Sequence, residues 1–139
     1  MAKAGAKKEI NIAADDVWQT IRSFDGVDTY LPVVVSCNIT GNEVGAKRHC
    51  TLENGMKLDE TLEYLSDEER TLKYSINDEG TPFKGYMGTV SVRELPDGRA
   101  EVSWSTTFKA NGAPEEELIS MVEEMLGVAI DGLEKLHTA

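Results

Sequence analysis

The chain reads as an α+β protein, a curved antiparallel sheet of about six to seven strands wrapped around one long C-terminal helix. Two observations predict this. Segments that alternate with period two follow one another from residue 33 to residue 109, with turn signals between them. The stretch from Pro114 to Leu136 then switches to helical periodicity. Runs of strands closed by a helix, without regular strand–helix alternation, give an antiparallel sheet that packs on that helix. With 139 residues, the chain is expected to form one domain over positions 1–139, large enough to bury a core without disulfides or metals.

The elements follow in order. Ala6, Lys8, Ile10 and Ile12 mark a first strand. Asp15 and Asp16 open a short helix carrying Val17, Trp18 and Ile21, with Trp18 as a core anchor, and Asp25-Gly26 ends it. Val27 to Pro32 has room for one more helical turn before Pro32 halts it. Val33 to Thr40 is strongly β-prone. Lys47–Glu53 and Met56–Leu65 flank Asn54-Gly55, the strongest short hairpin signal in the chain. Thr71–Ile76 offers Leu72, Tyr74 and Ile76 on one face, and Tyr86–Glu94 runs up to the turn Pro96-Asp97-Gly98. Ala100–Lys109 places Val102, Trp104, Thr106 and Phe108 on one face. The Gly- and Pro-containing loop from Asn77 to Gly85 carries Phe83, which reads either as an ordinary surface aromatic or as a loop-tip aromatic able to act as a lid.

One carboxylate breaks the pattern. On the strand from Met56, the solvated face reads Lys57, Asp59, Thr61, Glu63, and the apolar face reads Leu58, Glu60, Leu62, Tyr64. A bare acid buried among apolar side chains costs several kcal/mol, so Glu60 requires a partner, a polar pocket, or an edge position where strand twist returns it to water. A two-residue hairpin loop sets His49 opposite Glu60. A three-residue loop sets Cys50 opposite Glu60 and Leu52 opposite Leu58. The second register keeps Cys50 and Leu52 inside and His49 outside, so it is preferred, and it turns Arg48 inward, diagonal to Glu60.

In the final helix, Pro114 suits the first position and Glu115, Glu116 and Glu117 complement the helix dipole. The polar stripe is Ser120, Glu123, Glu124, Gly127, Asp131, Glu134 and Lys135. The apolar arc centres on Leu118, Val122, Ala129, Leu133 and Leu136, with a shoulder of Met121, Met125, Val128 and Gly132. That arc is wider than a helix on a flat sheet needs. It predicts one shoulder on the sheet and the other against a cavity, or else a subunit contact.

Lysine and arginine number 14 against 25 acids, 14 − 25 = −11, with a pI near 4.6. Such an excess repels phosphate backbones and anionic lipid surfaces, so no nucleic acid and no membrane insertion are expected. No apolar run approaches a transmembrane length and no signal-peptide pattern opens the chain, which is expected in the cytoplasm. Cys37 and Cys50 have no metal-site spacing and read as reduced core thiols, so neither a metal nor a cofactor is expected. A catalytic motif such as GxSxG or HExxH is not found.

The ordered set Val17-Trp18, Tyr30-Leu31-Pro32, Arg48 with Glu60, Tyr74-Ser75-Ile76, Pro82, Tyr86, Trp104, Phe108 and Gly132-Leu133-Glu134-Lys135-Leu136 resembles the START-like, helix-grip superfamily. Within it, the likeness is to bacterial polyketide cyclase/dehydrase-like proteins, over nearly the whole chain. The resemblance implies a START-like ligand-binding domain with a cavity between sheet and C-terminal helix. It makes Glu60 a pocket acid, Tyr86 a pocket tyrosine, Tyr74 and Ile76 a lining strand, and Thr81–Gly85 a loop over the mouth. The superfamily's abscisic-acid receptors carry a pocket lysine where Leu31 stands and a pocket acid where Thr106 stands, and their gate loop is longer than Glu53–Met56. These departures argue against abscisic acid and against a copied carboxylate clamp.

The expected function is binding of an apolar small molecule or lipid, as carrier or sensor, by a monomer or weak homodimer. Besides Arg48, Glu60 and Tyr86, the candidate binding residues are Leu31, Cys50, Leu58, Leu62, Tyr74, Ile76, Phe83, Met87, Trp104, Thr106, Met121, Met125 and Val128. An alternative is a cyclase- or dehydratase-like enzyme with Glu60 as acid/base and Tyr86 polarising a carbonyl, a role that an inward Arg48 would curtail. Another is an interaction module with a vestigial cavity.

Overall fold

Alternation and turn signals resolve into one antiparallel sheet of seven strands in the order β1-β7-β6-β5-β4-β3-β2. A computed structural model describes residues 1–138. Its elements are β1 (Ala2–Ile10), α1 (Ala14–Arg22), a 3-10 turn (Val27–Thr29), β2 (Val34–Thr40), β3 (Lys47–Leu52), β4 (Lys57–Ser66), β5 (Thr71–Ile76), β6 (Phe83–Glu94), β7 (Ala100–Ala110) and α2 (Glu115–Thr138). Strands β2 to β7 form a meander, and β1 closes against β7. The first strand starts at Ala2, earlier than Ala6, because pairing carries it on to Ala2 opposite Phe108. Small alanines facing the core give little hydrophobic signal, and the partner strand decides.

The sheet curves because three pairs carry an extra residue, at Val35 in β2, Glu63 in β4 and the Gly85-Tyr86 step in β6. Bulges bend the strand and increase its twist. The bulge at Glu63 also breaks the expected alternation. Leu62 stays buried, whereas Tyr64 turns to the outer face and is 40% exposed. Phe83 opposes Ala110 at the start of β6, so it belongs to the wall and not to a loop tip.

The hairpin uses a three-residue loop, Glu53-Asn54-Gly55, closed by Leu52 N–H donating to the Met56 carbonyl at 2.8 Å. Gly55 takes φ +88°, the left-handed position this loop class gives to glycine. Starting the loop at Glu53 instead of Asn54 moves the register by two residues. Arg48 therefore faces Glu60 directly and Cys50 faces Leu58. Inside and outside faces are as expected; the pairing is not. On the other side Cys50 opposes Cys37, and the two form a disulfide with Cα atoms 4.2 Å apart. The thiols are therefore joined, contrary to the reduced pair expected. Nothing in their spacing signals this, since the β2–β3 register alone brings them together.

Helix α2 buries Leu118, Val122, Leu126, Ala129, Ile130 and Leu133. Its acidic stripe leans over β1: Gly5 N–H donates to Glu123, Asn11 N–H to Glu134, and Lys8 pairs with Asp131 at 2.8 Å. These links, with Gly127 packed near Lys8, roll the helix towards β1. Met121, Val128 and Leu136 are consequently exposed; Met125 lines the space against the sheet, and Val128, Gly132 and Leu136 border a separate open cleft beside residues 28–32.

Gly132 fixes how closely α2 approaches the 3-10 turn. A Cβ there would lie 1.8 Å from the Tyr30 carbonyl oxygen, whereas one at Gly127 would meet only the flexible end of Lys8 at 3.6 Å. Gly132→Ala should therefore cost about 1–3 kcal/mol in urea unfolding. Gly127→Ala should be neutral or stabilising by up to about 1 kcal/mol. Equal effects of the two substitutions would contradict this packing.

Candidate functional site

Two buried charges stand on the concave face of the sheet. Arg48 is 5% and Glu60 9% exposed, and Arg48 Nε donates to Glu60 Oε1 at 2.7 Å. Arg48 Nη1 also donates to the Phe24 carbonyl oxygen at 3.3 Å, and its guanidinium lies 3.9 Å from the centroid of the Phe24 ring. Phe24 takes φ +61°, a left-handed conformation at the end of α1. Burial works against the Arg48 charge, but the adjacent Glu60 carboxylate and its hydrogen bond outweigh that, so the Arg48 pKa is raised.

Around the pair stands an aromatic group. Tyr74 crosses β6 where Gly88 leaves room, since a Cβ at Gly88 would sit 2.3 Å from the Tyr74 ring. That crossing brings its hydroxyl within 2.9 Å of Trp104 Nε1, which donates to it. The β6 bulge, with Gly85 at φ +64°, aims Tyr86 inward, where it stacks on Phe108 with centroids 5.9 Å apart. Phe83 packs edge-on against both rings. Burial pushes the Tyr30 phenol up to about 12 and raises Tyr74 and Tyr86 as well, with Glu60 adding to each. All three hydroxyls remain protonated donors at neutral pH.

These residues enclose a cavity of about 70 Å³ between the sheet, the 3-10 turn and α2. At about 30 Å³ per water it has room for roughly two waters, well below the ~300–1,000 Å³ of a drug-sized site. Its wall brings together Leu31, Arg48, Cys50, Leu58, Glu60, Tyr74, Ile76, Phe83, Tyr86, Trp104 and Met125. Val27, Val34, Leu52 and Leu126 complete it. Leu126 was legible from its place four residues after Val122, and Leu52 from the hairpin pattern. Val27 and Val34 flank an irregular turn that gives no periodic signal.

Five expected binding residues lie elsewhere. Leu62 is buried outside the lining, and Thr106 is buried beyond it with its Oγ1 unpartnered among the described residues. Met87 alternates onto the opposite face of the sheet from its buried neighbours Tyr86 and Gly88. Met121 and Val128 are on the solvent face of α2. His49 pairs with Asp59 on the outer face at 2.7 Å, and His137 lies 2.8 Å from the Thr20 hydroxyl. Neither histidine lines the cavity. A separate open cleft of about 590 Å³ lies between Asp28–Pro32 and the outer side of α2, and only Leu31 borders both spaces.

Two outcomes test this geometry. Arg48→Met strands Glu60 and should cost about 3–5 kcal/mol in chemical unfolding, while Arg48→Met with Glu60→Leu should recover most of the loss. Additive losses would mean that the two side chains do not interact. Raised phenol pKa values place the other outcome at alkaline pH, because the protonated forms are favoured in the folded state. Their contribution is complete below the unfolded phenol value near 10. It is lost as pH climbs through about 12. Phenolate absorbance from the three buried tyrosines should appear together with unfolding, and its appearance in intact protein would overturn their assignment as sealed.

Comparison with known proteins gives one consistent result. The family model described as "Polyketide cyclase / dehydrase and lipid transport" matches residues 1–138. The abscisic acid receptor PYL10 of Arabidopsis thaliana is 30% identical over 135 residues, which is 91% of this chain and 74% of the receptor. An uncharacterised protein from Bacillus thuringiensis superposes with a TM-score of 0.88 at 28% identity, covering 99% of this chain and all of that one. Protein XoxI from Bacillus cereus gives the same TM-score and identity over 98% of this chain and 95% of its own.

Proposed function

The chain belongs to the polyketide cyclase/dehydrase and lipid-transport family, and from that premise we propose that it binds an apolar small molecule or lipid in the cavity between sheet and α2, as a carrier or sensor. The observation that carries this reading is the paired Arg48 and Glu60 set in an otherwise apolar and aromatic enclosure. Ligand sites combine those ingredients, apolar walls with a few convergent polar groups. Residues 1–139 act in this reading as one ligand-binding unit.

The 70 Å³ space is smaller than a lipid or other drug-sized ligand. Binding requires it to widen, and the side chains able to yield are Met125, half-buried and flexible, and Leu52 and Phe83, which are also only partly buried. Leu31 borders both this space and the outer cleft. Catalysis has less support. Glu60 already accepts an ion-pair bond from Arg48, and among the described residues no histidine, cysteine thiol or second carboxylate lines the cavity to relay a proton.

Native mass spectrometry of gently purified protein should show a lipid-like adduct, and a hydrophobic ligand library should contain compounds that raise its melting temperature. Leu58→Trp, which fills the cavity from β4, should abolish both effects. An adduct-free protein that no apolar ligand stabilises would remove the binding reading. Turnover of a polyketide-like substrate, lost in Glu60→Gln while affinity persists, would replace it with the enzymatic one.

A further inference from the structure

We propose that the outer side of α2 and the turn beside it form a docking groove for a basic amphipathic helix of a partner protein. The surface lies outside the cavity, and the inference does not depend on what the cavity binds.

Helical spacing defines the seam. Met121, Met125, Val128, Gly132 and Leu136 recur at steps of four, three, four and four residues, so they share one side of α2. Met121, Val128 and Leu136 are between 39% and 49% exposed. Apolar residues scattered singly on a surface are ordinary, whereas three on one stripe that runs into a cleft mark an interaction site. In its C-terminal half the seam opens into the cleft of about 590 Å³, where Val128, Gly132 and Leu136 share the wall with Leu31 and Pro32. The bonds that roll α2 towards β1 leave this side of the helix uncovered.

Shape selects a helix as the occupant. An extended peptide gains its affinity by adding to a free sheet edge, and neither α2 nor the turn offers one. Side chains at three- and four-residue steps leave holes that receive the knobs of a second helix packed alongside. From Met121 to Leu136 the seam is about 22 Å long, enough for four turns of such a helix.

Charge selects the flanks. Glu117, Glu124 and Asp131 follow one another at seven-residue steps on the β1 side of the seam, and Asp28 stands on the opposite bank of the cleft. Asp131 is paired with Lys8, but Asp28, Glu117 and Glu124 have no ion-pair partner among the described residues. Lys135 is the one cation in the cleft wall. A second copy of this chain, with net charge −11, would bring its own acidic row against these groups, and like charges facing each other suppress association. Lysine or arginine beside an apolar stripe would meet them instead and would be steered to the groove.

Two labelled peptides of about 16 residues test the groove by fluorescence anisotropy. Both carry leucine at three- and four-residue steps; one has lysine on its flanks and the other glutamate. At physiological ionic strength, where charges are screened beyond about 8 Å, the lysine peptide should bind at least ~tenfold more tightly. Val128→Glu adds an acid, so purely electrostatic association would strengthen. In the proposed groove it should instead weaken the lysine peptide at least ~tenfold, and Met121→Glu should act in the same direction. Glu124→Lys should narrow the preference between the two peptides. All three side chains are exposed, so no substitution removes a core contact. Equal affinities of the two peptides for wild-type protein, or a lysine peptide that binds Val128→Glu as well as wild type, would overturn the proposal. So would a dimer in sedimentation velocity that Val128→Glu dissociates, because the seam would then belong to a second copy.

Discussion

The contact between Arg48 and Glu60 is the constraint around which the concave face is arranged. Neither charge tolerates burial alone, so any register that separates them is penalised by several kcal/mol. The pair thus discriminates between hairpin alignments that hydrophobic pattern leaves nearly equivalent, because a two-residue slip preserves which side chains point inward. Arg48 extends the constraint beyond the hairpin. By holding the Phe24 carbonyl and ring, it fastens the end of α1 and the turn behind it to the middle of the sheet.

Two glycines shape the space beside that pair by opposite means. Gly88 lacks the side chain that would block Tyr74, so the tyrosine lies across β6 and reaches Trp104 on β7. Gly85 adopts the left-handed conformation of a bulge and turns the next residue, Tyr86, into the core. The outcome is an aromatic floor whose hydroxyls burial keeps protonated, next to a buried ion pair. A cavity of this kind is defined as much by backbone geometry as by the residues facing it.

Much of the fold was legible because period-two alternation survives without knowledge of partners. The strand carrying Leu72, Tyr74 and Ile76, and the anomaly at Glu60, are visible in the residue order alone. What was not legible depends on relations between segments. Asn54-Gly55 is compatible with loops starting at Glu53 or Asn54, and only the folded hairpin selects between them. The bulge at Glu63 has no compositional mark, so Tyr64 read as inward. Cys37 and Cys50 meet only through the β2–β3 register. The roll of α2 depends on Lys8 and on backbone amides of the first strand, so a helical wheel cannot show that Met121 and Val128 face away from the cavity.

The carboxylates that roll α2 have a consequence for how copies of this chain behave in company. An open sheet ends in two strands with unpaired backbone groups, and such edges invite strand addition from neighbouring molecules. At the β1 edge Glu123 occupies the Gly5 amide that an incoming strand would need, and Glu134 holds the Asn11 amide just past the strand's end. Their negative charge would also repel the acidic surface of an approaching copy. The opposite edge, β2, is broken by the bulge at Val35 and tied to β3 by the disulfide. The acidic stripe is therefore more than a solvated helix face, since it occupies an edge amide that strand addition would otherwise use.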